Sequence, residues 1–226
     1  MKEFVEQLLP YERNLFFFLN GSDSVLLDKI MYTLSMSKVW IPLYAFALFM
    51  FFYKKRWKEA LVVALAFILT FALCDQISSS LIKPIFERVR PGNHPDFKDL
   101  VKLVNGYRGG GYGFISGHAT NCFGFAVMLS LVFRNRWVTF VSLIWATAIS
   151  YSRIYLGMHF VTDVVGGIIV GTLVAVAVYA LLIFIHKKIF KPKEKIRIYS
   201  PQQGKILWIG YAIIFIMVVL YGVIFK

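Results

Sequence analysis

The sequence predicts an all-α fold, a polytopic membrane protein with six transmembrane helices in a bundle. Three observations predict it. Apolar residues gather in blocks of about 20, the length a helix needs to cross the hydrocarbon core. Hydrophobic residues make up 58% of the 226-residue chain and charged residues only 16%, against about 25% charged in a soluble domain. Finally, the 25 Lys and Arg sit mostly in loops between apolar blocks, so the net charge of +13 forms no continuous basic face. That distribution excludes nucleic acid as a partner and points to anionic lipid or a phosphorylated substrate.

The chain reads as one domain spanning 1–226. Residues 1–28 mix acidic, basic and aromatic side chains and predict a short interfacial segment, with a turn at Asn20-Gly21. Glu3, Glu6, Pro10, Glu12 and Arg13 interrupt any clean apolar run there, so no cleavable signal peptide is expected. Spans are predicted at about 30–53, 60–82, 118–133, 138–156, 160–185 and 205–225. Between the second and third lies a polar, glycine-rich loop, 83–117. Cys74 and Cys122 fall in apolar segments and read as core packing. Gly166, Gly167 and Gly171 in the fifth span read as a site of close helix approach.

Orientation follows from the short loops. Lys54, Lys55, Arg56 and Lys58 join spans one and two; Arg134 and Arg136 join three and four. Lys187, Lys188, Lys191, Lys193, Lys195 and Arg197 join five and six. Positive charge accumulates on the cytoplasmic side. The 83–117 loop and the turn near Arg153–His159 are therefore expected to face outward. The loop's own basic residues, Lys83, Arg88, Arg90, Lys98, Lys102 and Arg108, run against that trend and need a chemical reason.

Three clusters on the outward side supply one. Lys83 and Arg90 are seven residues apart, about 20° from facing the same way if the helix persists, and Pro91 ends it. Ser116-Gly117-His118 stands at the entrance to the third span, where free backbone N–H groups and the helix dipole favour an anion and Ser116 can cap. Ser152-Arg153 is followed by His159 and Asp163, four apart and hence on one helical face. A carboxylate within a span is costly, by about 2.5 kcal/mol or more on insertion scales, and Asp163 needs a partner or a function.

Together these groups meet the needs of phosphoryl transfer. Three cations and backbone donors can surround the phosphoryl oxygens. One histidine attacks phosphorus while a carboxylate orients its ring, and a second protonates the leaving group. No Asp/Glu cluster stands on that side to hold Mg²⁺, and the three cations oppose a metal, so neither metal nor other cofactor is expected.

Lys83-x6-Arg90-Pro91, Ser116-Gly117-His118 and Ser152-Arg153-x5-His159-x3-Asp163 resemble the three-part signature of the type 2 phosphatidic acid phosphatase (PAP2) family. Vanadium haloperoxidases and glucose-6-phosphatase share that signature. The resemblance covers about residues 80–165, with the clusters in order. It implies His159 as nucleophile forming a phosphohistidine, Asp163 as its orienting partner and His118 as general acid. It implies Lys83, Arg90, Ser116, Gly117 and Arg153 as the phosphate cradle, near the outer leaflet of a six-helix fold. One departure stands out: Ile115 occupies the place of the family's usual proline.

Other polar residues stay outside that set. The run Arg108-Gly109-Gly110-Gly111-Tyr112-Gly113 lacks the Gly-Lys-Ser/Thr of a nucleotide loop and reads as a flap over the headgroup. Asp75 with Ser78, Ser79 and Ser80 reads as a polar helix–helix contact, with a link to Lys83 as the alternative. Arg88 is expected to reach a second phosphate, His94 to touch headgroups, and His186 to mark the cytoplasmic end of the fifth span.

The expected function is hydrolysis of an envelope lipid phosphate at a bacterial cytoplasmic membrane, on the periplasmic or exterior side. Undecaprenyl diphosphate or lipid A is favoured over phosphatidylglycerol phosphate or phosphatidate. The partners expected are the lipid substrate and membrane lipids, with no obligate protein partner. A phosphotransferase using the same histidine and an anionic lipid transporter are the alternatives. A transporter calls for broken helices near the midplane, whereas the ionisable groups here sit at span ends.

Overall fold

In lipid the backbone must satisfy its own hydrogen bonds, and long apolar runs without strand-like alternation do so as helices. The computed structural model describes residues 2–106, 108–191 and 197–225, and no strand forms among them. Lys193 and Lys195 of the last basic connection lie outside the described residues. Helices α1 (Lys2–Glu6) and α2 (Leu9–Asn20) precede α3 (Val25–Ser35), α4 (Ile41–Phe52), α5 (Trp57–Asp75) and α6 (Lys83–Phe86). Then come α7 (Gly117–Phe133), α8 (Arg136–Tyr155), α9 (Val161–Phe190) and α10 (Pro201–Phe225).

By length and composition, three segments among the described residues can cross a membrane: Trp57–Asn93, Val161–Phe190 and Pro201–Ile224. The bent pair Val25–Ser35 and Ser37–Phe52 makes a fourth if it counts as one span. Helix α7 is apolar but only 17 residues long. Helix α8 carries Thr139, Ser142, Thr147, Ser150, Ser152 and Arg153, which lower its hydropathy.

Two spans differ from the continuous helices expected. The first is broken at Met36, where the backbone turns extended (φ −79°, ψ 116°) and the two halves meet at 68°. Pro42 stands in the first turn of α4, where its missing N–H leaves no helix bond unmade, so it suits the restart. The Trp40 indole donates to the Leu34 carbonyl at 2.9 Å, satisfying one acceptor that the break leaves open. The second widens into a π-helical stretch, Gln76–Ile82, immediately before Pro84, and ends at Phe86 with Glu87 left-handed (φ 46°). The helix therefore does not persist from Lys83 to Arg90; Arg90 is extended (φ −70°, ψ 153°) and Pro91 opens a 3₁₀ turn.

Helices α7 and α9 form the inner pair of the bundle. A Cβ at Gly167 would stand 2.7 Å from the Ser116 carbonyl oxygen, and one at Gly171 would stand 3.0 Å from the Gly124 nitrogen. Glycine is required for that approach, in keeping with the sequence pattern. Around this pair a core of Trp40, Trp145 and Tyr211 meets edge to face, the ring centroids 5.6 and 5.8 Å apart. The outer faces of α5, α9 and α10 expose Leu65, Ile68, Leu173, Phe184, Ile213 and Leu220, as lipid-facing helices do.

The two ends of the bundle differ in chemistry. At one, Lys55 pairs with Glu59 at 2.9 Å and donates to the Ile198 carbonyl at 2.5 Å, while Gln203 donates to the Tyr53 carbonyl at 2.6 Å. His186 also lies here, 3.7 Å from Glu59. At the other end α2 buries Glu12, Phe16 and Asn20 against the 83–117 segment and the start of α9. Asn20 donates to the Lys102 and Tyr155 carbonyls at 3.0 and 2.7 Å, clasping that end together.

Candidate active site

The second end gathers all three sequence clusters. Asp163 organises them. It is fully buried in the first turn of α9, where its Oδ2 accepts from the Phe160 amide at 2.9 Å and so caps the helix. The same oxygen lies 3.4 Å from Nδ1 of His159. Its backbone carbonyl accepts from the Ser116 amide at 2.9 Å, which fixes the Ser116-Gly117-His118 turn against α9. Ser116 is the N-cap of α7, accepting from the Ala119 amide at 3.4 Å, as its position in the sequence suggests.

His159 lies in the connection between α8 and α9 and is 2% exposed. Its second nitrogen, Nε2, is 3.4 Å from Nη1 of Arg90. Arg90 is held in turn by the Met158 carbonyl at 3.1 Å and the Gly111 carbonyl at 3.3 Å. Arg153, on the last turn of α8, donates through Nη1 to the hydroxyl of Ser35, the residue just before the break in the first span. The His118 ring faces the backbone carbonyl of the same Ser35. Lys83 reaches the start of α7: its Nζ stands 3.9 Å from where a Gly117 Cβ would be, and the Ser78 and Ser79 hydroxyls stand 3.5 and 3.8 Å from the same point. The Ser78 and Ser79 hydroxyls therefore meet the start of α7, a polar contact between helices.

Burial, then Arg90, Arg153 and Lys83, hold the His159 ring well below its ordinary pKa of 6.5. The ring therefore remains neutral as the pH falls through 6.5. An unfolded chain takes up that proton, so the stability linked to this group is present above pH 6.5 and is lost as the pH falls below it. In ¹⁵N-histidine NMR the His159 resonances, assigned by their absence in His159→Ala, are expected to show no titration between pH 7.5 and 6.0. A midpoint near 6.5 would contradict the buried cationic setting.

A neutral imidazole with Nδ1 toward a carboxylate and Nε2 toward Arg90 keeps the electron pair that a nucleophile or base needs. Among the described residues no group of three or more His, Cys, Asp or Glu stands together as metal ligands. Lys83, Arg90 and Arg153 around His159 make a positive environment that can stabilise an anion.

Residues 63–187 match the PAP2 superfamily. The chain belongs to the PAP2 superfamily. Within it the chain stands among the membrane lipid phosphatases, which are hydrolases. The chain is 47% identical to a lipid A 4'-phosphatase of Porphyromonas gingivalis, over 81% of this chain and 78% of that one. It is 40% identical to a lipid A 4'-phosphatase of Bacteroides thetaiotaomicron, over 74% and 75%. Among solved structures it resembles Aquifex aeolicus LpxE with a TM-score of 0.58 and 25% identity, covering 75% of this chain and 95% of that one.

Two residues of this PAP2 site depart from the sequence expectation. Arg88, expected at a second phosphate, is 0% exposed and bridges two carboxylates. Its Nη1 meets Asp163 Oδ1 at 2.8 Å and its Nη2 meets Glu12 Oε1 at 2.5 Å. Its guanidinium also lies 4.3 Å from the Phe160 ring centroid. Glu12, from α2, further accepts from the Thr162 amide and hydroxyl, both at 2.8 Å. The only signal for it in the sequence is a lone acidic residue on the face of α2 that carries Phe16, four residues on.

His94 likewise does not face headgroups. It is 6% exposed, stacked on Phe97 at 4.2 Å and 3.5 Å from Glu6. The glycine-rich run packs onto the site as a wall: Gly113 donates to the Arg88 carbonyl at 2.7 Å, and a Cβ there would stand 3.1 Å from Asp163 Oδ2. Ile115, in the family's proline position, is buried at 1% exposure and packs over Gly166.

Proposed function

We propose that this PAP2 phosphatase removes a phosphate monoester from a lipid A-type glycolipid. The observation that carries the substrate is the 47% identity to a lipid A 4'-phosphatase over most of both chains. In this reading Nε2 of His159 attacks phosphorus, and the bond to the leaving oxygen breaks as a phosphohistidine forms. Asp163 holds Nδ1–H and balances the imidazolium charge. His118 gives a proton to the leaving alkoxide, then takes one from the water that releases phosphate. Lys83, Arg90, Arg153, the Ser116 hydroxyl and the Gly117 amide hold the phosphoryl oxygens. Support comes from the convergence of these groups on one end of the bundle around the buried His159–Asp163 pair.

The same reading takes residues 1–226 as one domain crossing the membrane six times: the bent pair α3–α4, then α5–α6, α7, α8, α9 and α10. The basic connections at Lys55, Arg134 and Lys187 lie in the cytoplasm, and the site faces the periplasm or exterior of a bacterial inner membrane.

The test is phosphate release by detergent-purified protein in EDTA from lipid A, undecaprenyl diphosphate, phosphatidylglycerol phosphate and phosphatidate. Lipid A is expected to give the highest kcat/KM, with the 4'-phosphate lost. Cleavage of another lipid but not lipid A overturns the substrate. Activity abolished by EDTA overturns metal-free chemistry, and a phosphorylated acceptor in place of free phosphate indicates transfer.

A further inference from the structure

Beside the break after α3 lies a groove that begins at Arg153. Its inner part, about 220 Å³, is lined by Arg153, Ser35, Tyr32 and Met158. Its outer part, about 280 Å³, is lined by Asp28, Lys29, Tyr32, Leu103 and Asn105. Tyr32 and Val104 line both parts, which therefore adjoin. One wall is a single face of α3: Asp28, Tyr32 and Ser35 follow at four- and three-residue spacing. The other wall is the 103–105 stretch of the long loop. Lys29 precedes Ser35 by six residues, about 9 Å along the helix at 1.5 Å per residue.

The lining is chemically specific. Asp28 is fixed by Lys102 at 2.8 Å and Tyr155 at 2.5 Å, both on Oδ1, while Oδ2 takes no hydrogen bond among the described residues. Lys29 pairs with no carboxylate among the described residues. Asn105, exposed in a left-handed turn (φ 58°), offers an amide with both donor and acceptor. Carboxylate, ammonium, amide and an aromatic ring along one groove match hydroxyls on a C–H-rich ring, the chemistry of a sugar. A second cavity, about 180 Å³ between α5 and α9, is lined by Leu65, Leu69, Val178 and Ile185 and suits hydrocarbon instead.

We infer that the groove between α3 and residues 103–105 is a saccharide subsite that takes the sugar of a phosphorylated glycolipid while its phosphate meets Arg153. This rests on the glycolipid reading above and adds where the sugar lies. Asp28 and Asn105 bond its hydroxyls, Lys29 donates to an oxygen substituent at the outer end, and Tyr32 carries its apolar face. A diacylglycerol phosphate has no ring to fill this space, so the groove selects between substrate classes.

The test is the selectivity ratio, kcat/KM for lipid A over kcat/KM for phosphatidylglycerol phosphate, in wild type, Lys29→Ala and Asn105→Ala. The two variants come from opposite walls and truncate side chains outside the buried core. Each is expected to lower the ratio about tenfold, mainly through KM for lipid A, the loss of one hydrogen bond to a polar or charged group. Lipid A cleaved by wild type with the ratio unchanged in both variants overturns the subsite alone. No cleavage of lipid A by wild type overturns the substrate reading and the subsite with it.

Discussion

Replacing His159 by alanine is expected to reduce phosphate release by a factor of about 10⁴ or more, the order seen when a covalent nucleophile is removed. His118, the other imidazole of the site, is assigned to the leaving group and not to phosphorus. The flanking groups are Lys83, Arg90 and Arg153, all cations, and Asp163, whose carboxylate is occupied by Arg88 and by the Phe160 amide. Loss of the ring leaves the cationic cradle in place, so lipid binding is expected to persist while turnover disappears. His118→Ala should differ in kind. A missing general acid costs about 10² to 10⁴, and a leaving group that needs no proton restores much of it. 4-Nitrophenyl phosphate therefore separates the two: its first-turnover release of 4-nitrophenol is expected to survive largely in the His118 variant and to vanish in the His159 variant. Equal losses on both substrates in both variants would reverse or merge the roles.

The parts of this site written as spacing are legible in the sequence alone. Ser116-Gly117-His118 at a helix start and His159 four residues before Asp163 encode their geometry locally, because capping and the 3.6-residue turn act within a few residues. Lys83 and Arg90 do serve one site, but not by the route their spacing implies. The expected continuous helix stops at Phe86, and an extended segment brings Arg90 to His159.

What composition conceals is tertiary. Apolar length marks a membrane-crossing block but not a break within it, so the turn at Met36 that delivers Ser35 to Arg153 leaves no trace in hydropathy. Basic loop residues near a membrane usually face anions, which is why His94 and Arg88 read as headgroup contacts. In the fold, α1 and α2 cover them and supply Glu6 and Glu12 as counter-charges. No local pattern announces that a charge on one helix will neutralise another 76 positions away.

Arg88→Met is the second change expected to have a large effect, and it separates stability from catalysis. Arg88 is a buried cation between two buried carboxylates, Glu12 at 2.5 Å and Asp163 at 2.8 Å. Removing it leaves both without a direct cationic partner, which costs about 3–5 kcal/mol when a buried pair is broken. It also frees the Asp163 carboxylate to rotate away from His159 Nδ1, and kcat is expected to fall about 10²-fold with KM little changed. Adding Glu12→Gln removes one of the two stranded charges while its amide still serves Thr162. The double variant should therefore regain part of the lost thermal stability, because the two sites share a partner and their effects do not add. Turnover should not recover, since Asp163 still lacks the group that fixes its second oxygen. Arg88→Lys, which keeps the charge but not the fork between two carboxylates, should be stable and intermediate in kcat. If turnover instead rises and falls with stability across all three variants, Arg88 is a packing residue alone. A stable double variant that remains slow marks the Glu12–Arg88–Asp163 chain as the frame that aims the nucleophile.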